Sequence, residues 1–123
     1  MATNNRIAWT ESLSLPVPEG TVSGDPVLVG VLPGVALTDR AVDGNRAGGN
    51  DDGFATVALD GVWDLEVSGA LAAAGTQVYI TSGGSLTATS SGNAPFGESV
   101  PGFTADGSKA SGAGTVSVKL AKV

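Results

Sequence analysis

Between residues 54 and 67 apolar and polar positions alternate almost without a break. Val57, Leu59, Trp63, Leu65 and Val67 fall on one side of a period-two pattern. Thr56, Ala58, Asp60, Asp64 and Glu66 fall on the other, with Val62 as the exception. Successive side chains of a strand point to opposite faces, so the spacing predicts a β-strand with an apolar and an acidic face. Gly61 interrupts the apolar row and predicts a bulge or strong bend, which would let one run serve both sides of a barrel. Shorter strands are expected at residues 27–31, after the turn Ser23-Gly24-Asp25-Pro26, and at 35–38, after a turn at Pro33-Gly34. Residues 76–81 and 85–89 flank Ser82-Gly83-Gly84 and predict a hairpin. Residues 114–123 place Val116, Val118 and Leu120 on one face, Ser117 and Lys119 on the other. Residues 7–17 alternate only in part, and Pro16 and Pro18 demote them to an arm or an edge. Helical propensity is confined to residues 68–74, where Gly69 and Gly75 leave space for one turn at most.

This rhythm of short strands and Gly, Pro, Asp and Ser punctuation predicts an all-β fold, a small single-domain barrel or sandwich. An extended N-terminal arm (1–18) precedes the β domain (19–123). Two long polar loops, residues 39–53 and 101–114, lack the apolar content to pack and are expected to be exposed and mobile.

Composition narrows the function. The 123 residues suit one domain, which should bury roughly two-thirds of its unfolded surface. The core is thin, because much of the 41% hydrophobic content is alanine and large side chains are few. Self-association would bury more apolar surface without a longer chain. The chain has no Cys and no His. Disulfides, thiolate chemistry, the usual general base and the usual zinc ligand are therefore excluded. A net charge of −6 with six Lys and Arg argues against nucleic-acid binding, which depends on neutralising phosphates. No apolar run has the length of a signal peptide or a transmembrane helix, so synthesis as a soluble cytoplasmic protein is expected.

The candidate chemistries are weak. Asp43, Asn45, Asn50, Asp51 and Asp52 offer oxygen ligands of the kind calcium takes, but without an EF-hand spacing or a closing Glu. Asp60, Asp64 and Glu66 could supply the carboxylate pair of a glycosidase, yet such acids are also the ordinary solvated face of an antiparallel strand. Ser108-Lys109 is a conceivable nucleophile and base in a Gly-rich loop that nothing obvious holds rigid. Gly112-Ala113-Gly114 enters a strand rather than a helix and so does not resemble a phosphate loop. No cofactor, metal, membrane or small-molecule substrate is expected. Trp63 belongs to the apolar row and is read as core. Trp9, on the Pro-flanked arm, packs on a partner or covers an edge.

The order of segments resembles a family of tailed-phage capsid cement, or decoration, proteins. The likeness begins at residues 20–29 (GTVSGDPVLV) and 34–39 (GVALTD) and continues through 55–65 (ATVALDGVWDL). It extends over 73–80 (AAGTQVYI), 84–89 (GSLTAT), 96–100 (FGESV) and 114–120 (GTVSVKL). Residues 39–53 form a longer loop than the family pattern implies. The resemblance implies a β-barrel or β-tulip-like module on the outer face of the phage head, with the major capsid protein as partner. It further implies a homotrimer at local three-fold positions, located in the virion, with no catalytic residue to carry over. The arm, with Ile7, Trp9, Leu13 and Leu15, is the expected partner-binding segment, adding a strand to a neighbour or lying across a capsid subunit. The competing reading is a glycan-binding module using Trp9, Tyr79 and Phe103. An enzyme using Asp60, Asp64 or Glu66 is the third.

Overall fold

The computed structural model describes residues 12–42 and 49–120. Nine strands run in chain order: β1 (Ser12–Pro16), β2 (Pro26–Val29), β3 (Leu32–Ala36), β4 (Phe54–Ala58), β5 (Val62–Ser68), β6 (Gln77–Ile80), β7 (Leu86–Thr87), β8 (Ala94–Val100) and β9 (Ala113–Leu120). Among the described residues there is no α-helix. The all-β expectation holds, but the strands divide into two bodies. The first four form an antiparallel sheet in the order β1-β4-β3-β2. The other five close into a small barrel in the order β5-β7-β6-β8-β9, with β9 pairing back onto β5.

The long alternating run supplies both bodies. It breaks at Asp60-Gly61, where Gly61 has φ +105°, a conformation costly for a residue with a Cβ. β4 stays in the sheet and β5 opens the barrel, so the bend joins two sheets rather than two sides of one. On β5 the alternation is kept: Leu65 and Val67 are buried while Val62, Asp64 and Glu66 are exposed. The barrel core gathers Phe96, Leu71, Leu120 and the valines Val67 of β5, Val78 of β6 and Val116 and Val118 of β9. Val35 reaches this core from β3, with Leu28 partly buried beside it, and so seats the sheet on the barrel. The sheet's own core is smaller: Val17, Val27, Ala55 and Val57, flanked by Leu15, Val29 and Leu59.

Two local expectations are corrected. Pro33-Gly34 is not a turn: both residues are buried inside β3, and the hairpin turns at Gly30 and Val31, Gly30 supplying φ +63°. Gly34 is required for a different reason. A Cβ there would collide with the Val57 side chain and lie 2.7 Å from the Ala58 carbonyl oxygen, so glycine permits the close approach of β3 to β4. Pro33 is tolerated because the β3–β4 ladder engages only Val35 and Ala36. Residues 68–74 form no helical turn. Gly69 and Gly75 both adopt positive φ, and Leu71 is instead buried and bridged to Lys109 by paired backbone hydrogen bonds of 2.9 and 2.8 Å.

β8 is a strand that the alternation did not signal, since Pro95 and Gly97 hide it from a propensity reading. A register shift opposite Val78 and Tyr79 lets the strand pass Phe96 inward, where it is fully buried. Gly97 has no room for a side chain, because a Cβ would strike the Lys119 carbonyl. Bulges of this kind re-aim side chains at the expense of local pairing.

The polar loops are fastened rather than simply solvated. In the first, Ala41 and Asn50 are buried. Ala41 donates its N–H to the Phe54 carbonyl and accepts from Gly53, which closes the loop's base. Asn50 accepts from the Ser14 hydroxyl and donates to Thr38 Oγ1 and Thr56 Oγ1 at 3.3 and 3.2 Å. In the second, Lys109 Nζ donates to the carbonyls of Gly69, Ala110 and Gly112 at 2.5–2.7 Å. The lysine thereby ties the loop across the end of the β5–β9 ladder.

Candidate functional site

The residues singled out for chemistry do not converge. Asp60 lies in the bend before β5, not on the strand face with Asp64 and Glu66, and its Oδ1 accepts the Gly61 N–H at 2.8 Å. Asp64 Oδ1 accepts the Ser117 hydroxyl at 2.6 Å, and that hydroxyl oxygen in turn accepts the Phe103 N–H at 2.8 Å. This chain secures residues 102–103 over the outside of the barrel. Glu66 stands exposed opposite Thr115. Ser108 donates to Asp106 Oδ1 from both its hydroxyl and its N–H. Those bonds, the hydroxyl's above all, hold the Asp106 carboxyl below its ordinary value. Lys109 faces backbone carbonyls rather than Ser108, so the two form no nucleophile–base pair. Of the loop acids, Asp43 and Asn45 lie outside the described residues, and Asn50 serves the sheet. Among the described residues no three acidic side chains gather where a metal could sit.

The aromatic candidates are likewise dispersed. Tyr79 is half-buried on β6 and Phe103 is 62% exposed in the loop after β8. Ile7 and Trp9 lie outside the described residues. Leu13 and Leu15 sit on β1, half-buried on its inward side, with Leu15 against the small core of the sheet. Ser14 faces the opposite way, toward Asn50. Among the described residues β1 pairs with β4 on one side and with no other strand, a sheet edge of the kind that accepts an added strand.

Two clefts among the described residues lie along the seam between the two bodies. One cleft of about 400 Å³ lies between residues 18–28 of the sheet and the β6–β7 hairpin at residues 80–84. A second, also about 400 Å³, is lined by Ser12, Leu37 and Ala58 from the sheet and by Asp60, Gly61 and Trp63 at the start of the barrel. The second is the more distinctive because it holds an indole. Trp63 is only partly buried, packs on the barrel core, and donates its Nε1–H to the Asp60 carbonyl at 3.1 Å. A Cβ on Gly61 would sit 3.4 Å from Nε1, so glycine leaves the ring room to fold back over the bend. Leu37, 41% exposed, forms the opposite wall. The sequence pattern assigned Trp63 to the core, which is half of its situation. Its position at the break between two sheets gives the other half, and no period in the chain signals that.

Neither the curated proteins nor the solved structures contain a match to this chain. The family model described as phage cement protein, however, matches residues 7–120. The match spans both bodies, the bend that joins them and the strands hidden by Pro and Gly, and the chain therefore belongs to the phage cement proteins, structural components of the virion capsid.

Proposed function

We propose that this protein is a capsid decoration protein that binds the outer surface of the assembled phage head and stabilises the shell, as a homotrimer at local three-fold positions. The family match over residues 7–120 carries the reading. An acidic chain with net charge −6 suits the outside of a shell better than an interior that faces DNA. A partner is the major capsid protein. The segment holding Ile7, Trp9, Leu13 and Leu15 is the proposed contact, with strand addition at the edge of β1 that pairs with no other described strand. Stabilisation is by linkage: a protein that binds only the assembled shell shifts the equilibrium toward it. Many copies of modest affinity reinforce the shell together.

The test is cosedimentation of the purified protein with phage heads that lack it, counting bound copies per head. Saturation at the number of local three-fold positions, times three, is the expected result. Absence of binding to mature heads would overturn the reading. Trp9→Ala and Leu13→Ser should each weaken head binding, and Leu13→Ser should leave thermal unfolding close to that of the parent, since Leu13 belongs to neither buried cluster.

A further inference from the structure

Aspartate precedes glycine at residues 43–44, 52–53, 60–61 and 106–107. An Asp-Gly pair is open to isomerisation because glycine has no Cβ to shield its amide nitrogen or restrict its approach. The glycine nitrogen bonds to the aspartate Cγ and a Cγ–O bond breaks. One water leaves, made of the carboxyl hydroxyl and the amide proton. Water then opens the five-membered imide. Where it cleaves the bond to the former main-chain carbonyl, the chain runs on through Cγ, one methylene longer and with no net change in mass. The reacting form is the neutral carboxyl, since a carboxylate resists attack.

The pair at 106–107 is held differently from the other described pairs. The Gly53 N–H donates to the Ala41 carbonyl at 2.7 Å, and the Gly61 N–H meets its own Asp60 carboxyl at 2.8 Å. At 106–107 one carboxyl oxygen, Oδ1, accepts both donors of Ser108, the hydroxyl at 2.6 Å and the N–H at 3.0 Å. Gly107 is buried at φ +74°. A Cβ on it would lie 2.9 Å from the Val100 carbonyl carbon and 3.1 Å from the Ala74 Cα, so its backbone is wedged against the barrel rim. Residue 109 follows, pairing its backbone with Leu71 and bonding three carbonyls through Nζ. An added methylene at 106–107 would displace Gly107 and loosen this fastening.

We propose that Asp106-Gly107 is an isomerisation site held dormant by Ser108, whose two donors fix the Asp106 carboxylate as the anion and turn it toward residue 108 instead of onto the Gly107 nitrogen. Charge-assisted bonds of this kind favour the ionised form, and the depressed Asp106 acidity agrees with it. A capsid component is not replaced once its particle is built, so covalent change at a fastening loop accumulates for the life of the particle.

The test incubates the parent, Ser108→Ala and Ser108→Thr for weeks near neutral pH. Isoaspartate is then counted at each site by mass spectrometry, with an endoprotease that cuts before aspartate but not before isoaspartate. Ser108→Ala should isomerise at Asp106 roughly three- to tenfold faster than the parent, the range for loss of one hydrogen bond. Ser108→Thr, which keeps the hydroxyl, should stay close to the parent. Rates at Asp52 and Asp60 should be alike in all three proteins, and the difference at Asp106 should vanish in concentrated urea. Equal rates at Asp106 in the folded parent and Ser108→Ala would overturn the proposal. Acceleration at all the sites together would mark general loosening and overturn it too, as would a difference that persists in urea.

Discussion

The barrel and the four-stranded sheet are built from the same kind of chain and solve the burial problem differently. The barrel closes on itself, so its inward residues converge on one core that holds Phe96, Leu71 and Leu120. Among the described residues the sheet has two edges, β1 and β2, and a core of only Val17, Val27, Ala55 and Val57. It is held by other means: Val35 inserted into the barrel, Gly34 admitting close approach of β3 to β4, and Asn50 bonding three hydroxyls across its surface. Closure gives the barrel stability of its own. The sheet depends on its neighbour, through Val35, for part of its burial.

The sharpest test of this contrast is Phe96→Ala, which should cost about 3–5 kcal/mol, the range for truncating a fully buried aromatic. Thermal or urea unfolding measures it. Val57→Ala in the sheet should cost about 2 kcal/mol, and a loss equal to that of Phe96→Ala would break the comparison. Gly34→Ala sharpens it from the sheet side. The added methyl meets Val57 and the Ala58 carbonyl, and overpacking of this kind costs about 1–3 kcal/mol. Amide exchange should quicken in β2 and β3 of that variant before it quickens in β9.

Lys109→Met removes the cation that bonds three carbonyls at the barrel end. The loss should be about 1–2 kcal/mol, with exchange accelerated first at Leu71 and Gly69. The smallest effect belongs to Asp106, an exposed carboxylate held below its ordinary pKa chiefly by the Ser108 hydroxyl. A carboxyl depressed in the folded state contributes stability above its unfolded pKa and loses it as pH falls through the folded one. Ser108→Ala should therefore raise the Asp106 midpoint in an NMR titration and slightly reduce stability only above the acid range, with both bodies intact.

Some of this was legible in the chain and some was not, for reasons particular residues make plain. The alternation of residues 62–68 and 114–120 depends on nearest neighbours along a strand, so the faces of β5 and β9 follow from sequence. Ser117 is the exception there, buried on the outer face because the loop at 102–103 covers it. Pro95 and Gly97 conceal β8 because propensity weighs them singly, whereas their fit depends on the facing strands. Lys109 reads as a loose loop residue because the carbonyls it binds include Gly69, forty positions away. The groove at Trp63 is invisible for the same reason: its walls come from residues 12, 37, 58, 60, 61 and 63, which only the packing of sheet on barrel brings together.

The sequence by itself determined the all-β class, the absence of His and Cys chemistry, the acidic surface, the break at Gly61 and, through the order of its segments, the family. Those properties are local or compositional, and neither depends on how distant segments meet. The tertiary structure decided that the run through Gly61 joins two bodies rather than two sides of one barrel. It decided that Gly34 is a packing residue and not a turn, and that Trp63 lies both against a core and at a seam. Each of these turns on contacts between residues far apart in the chain, where burial and close approach, not period, select the side chain.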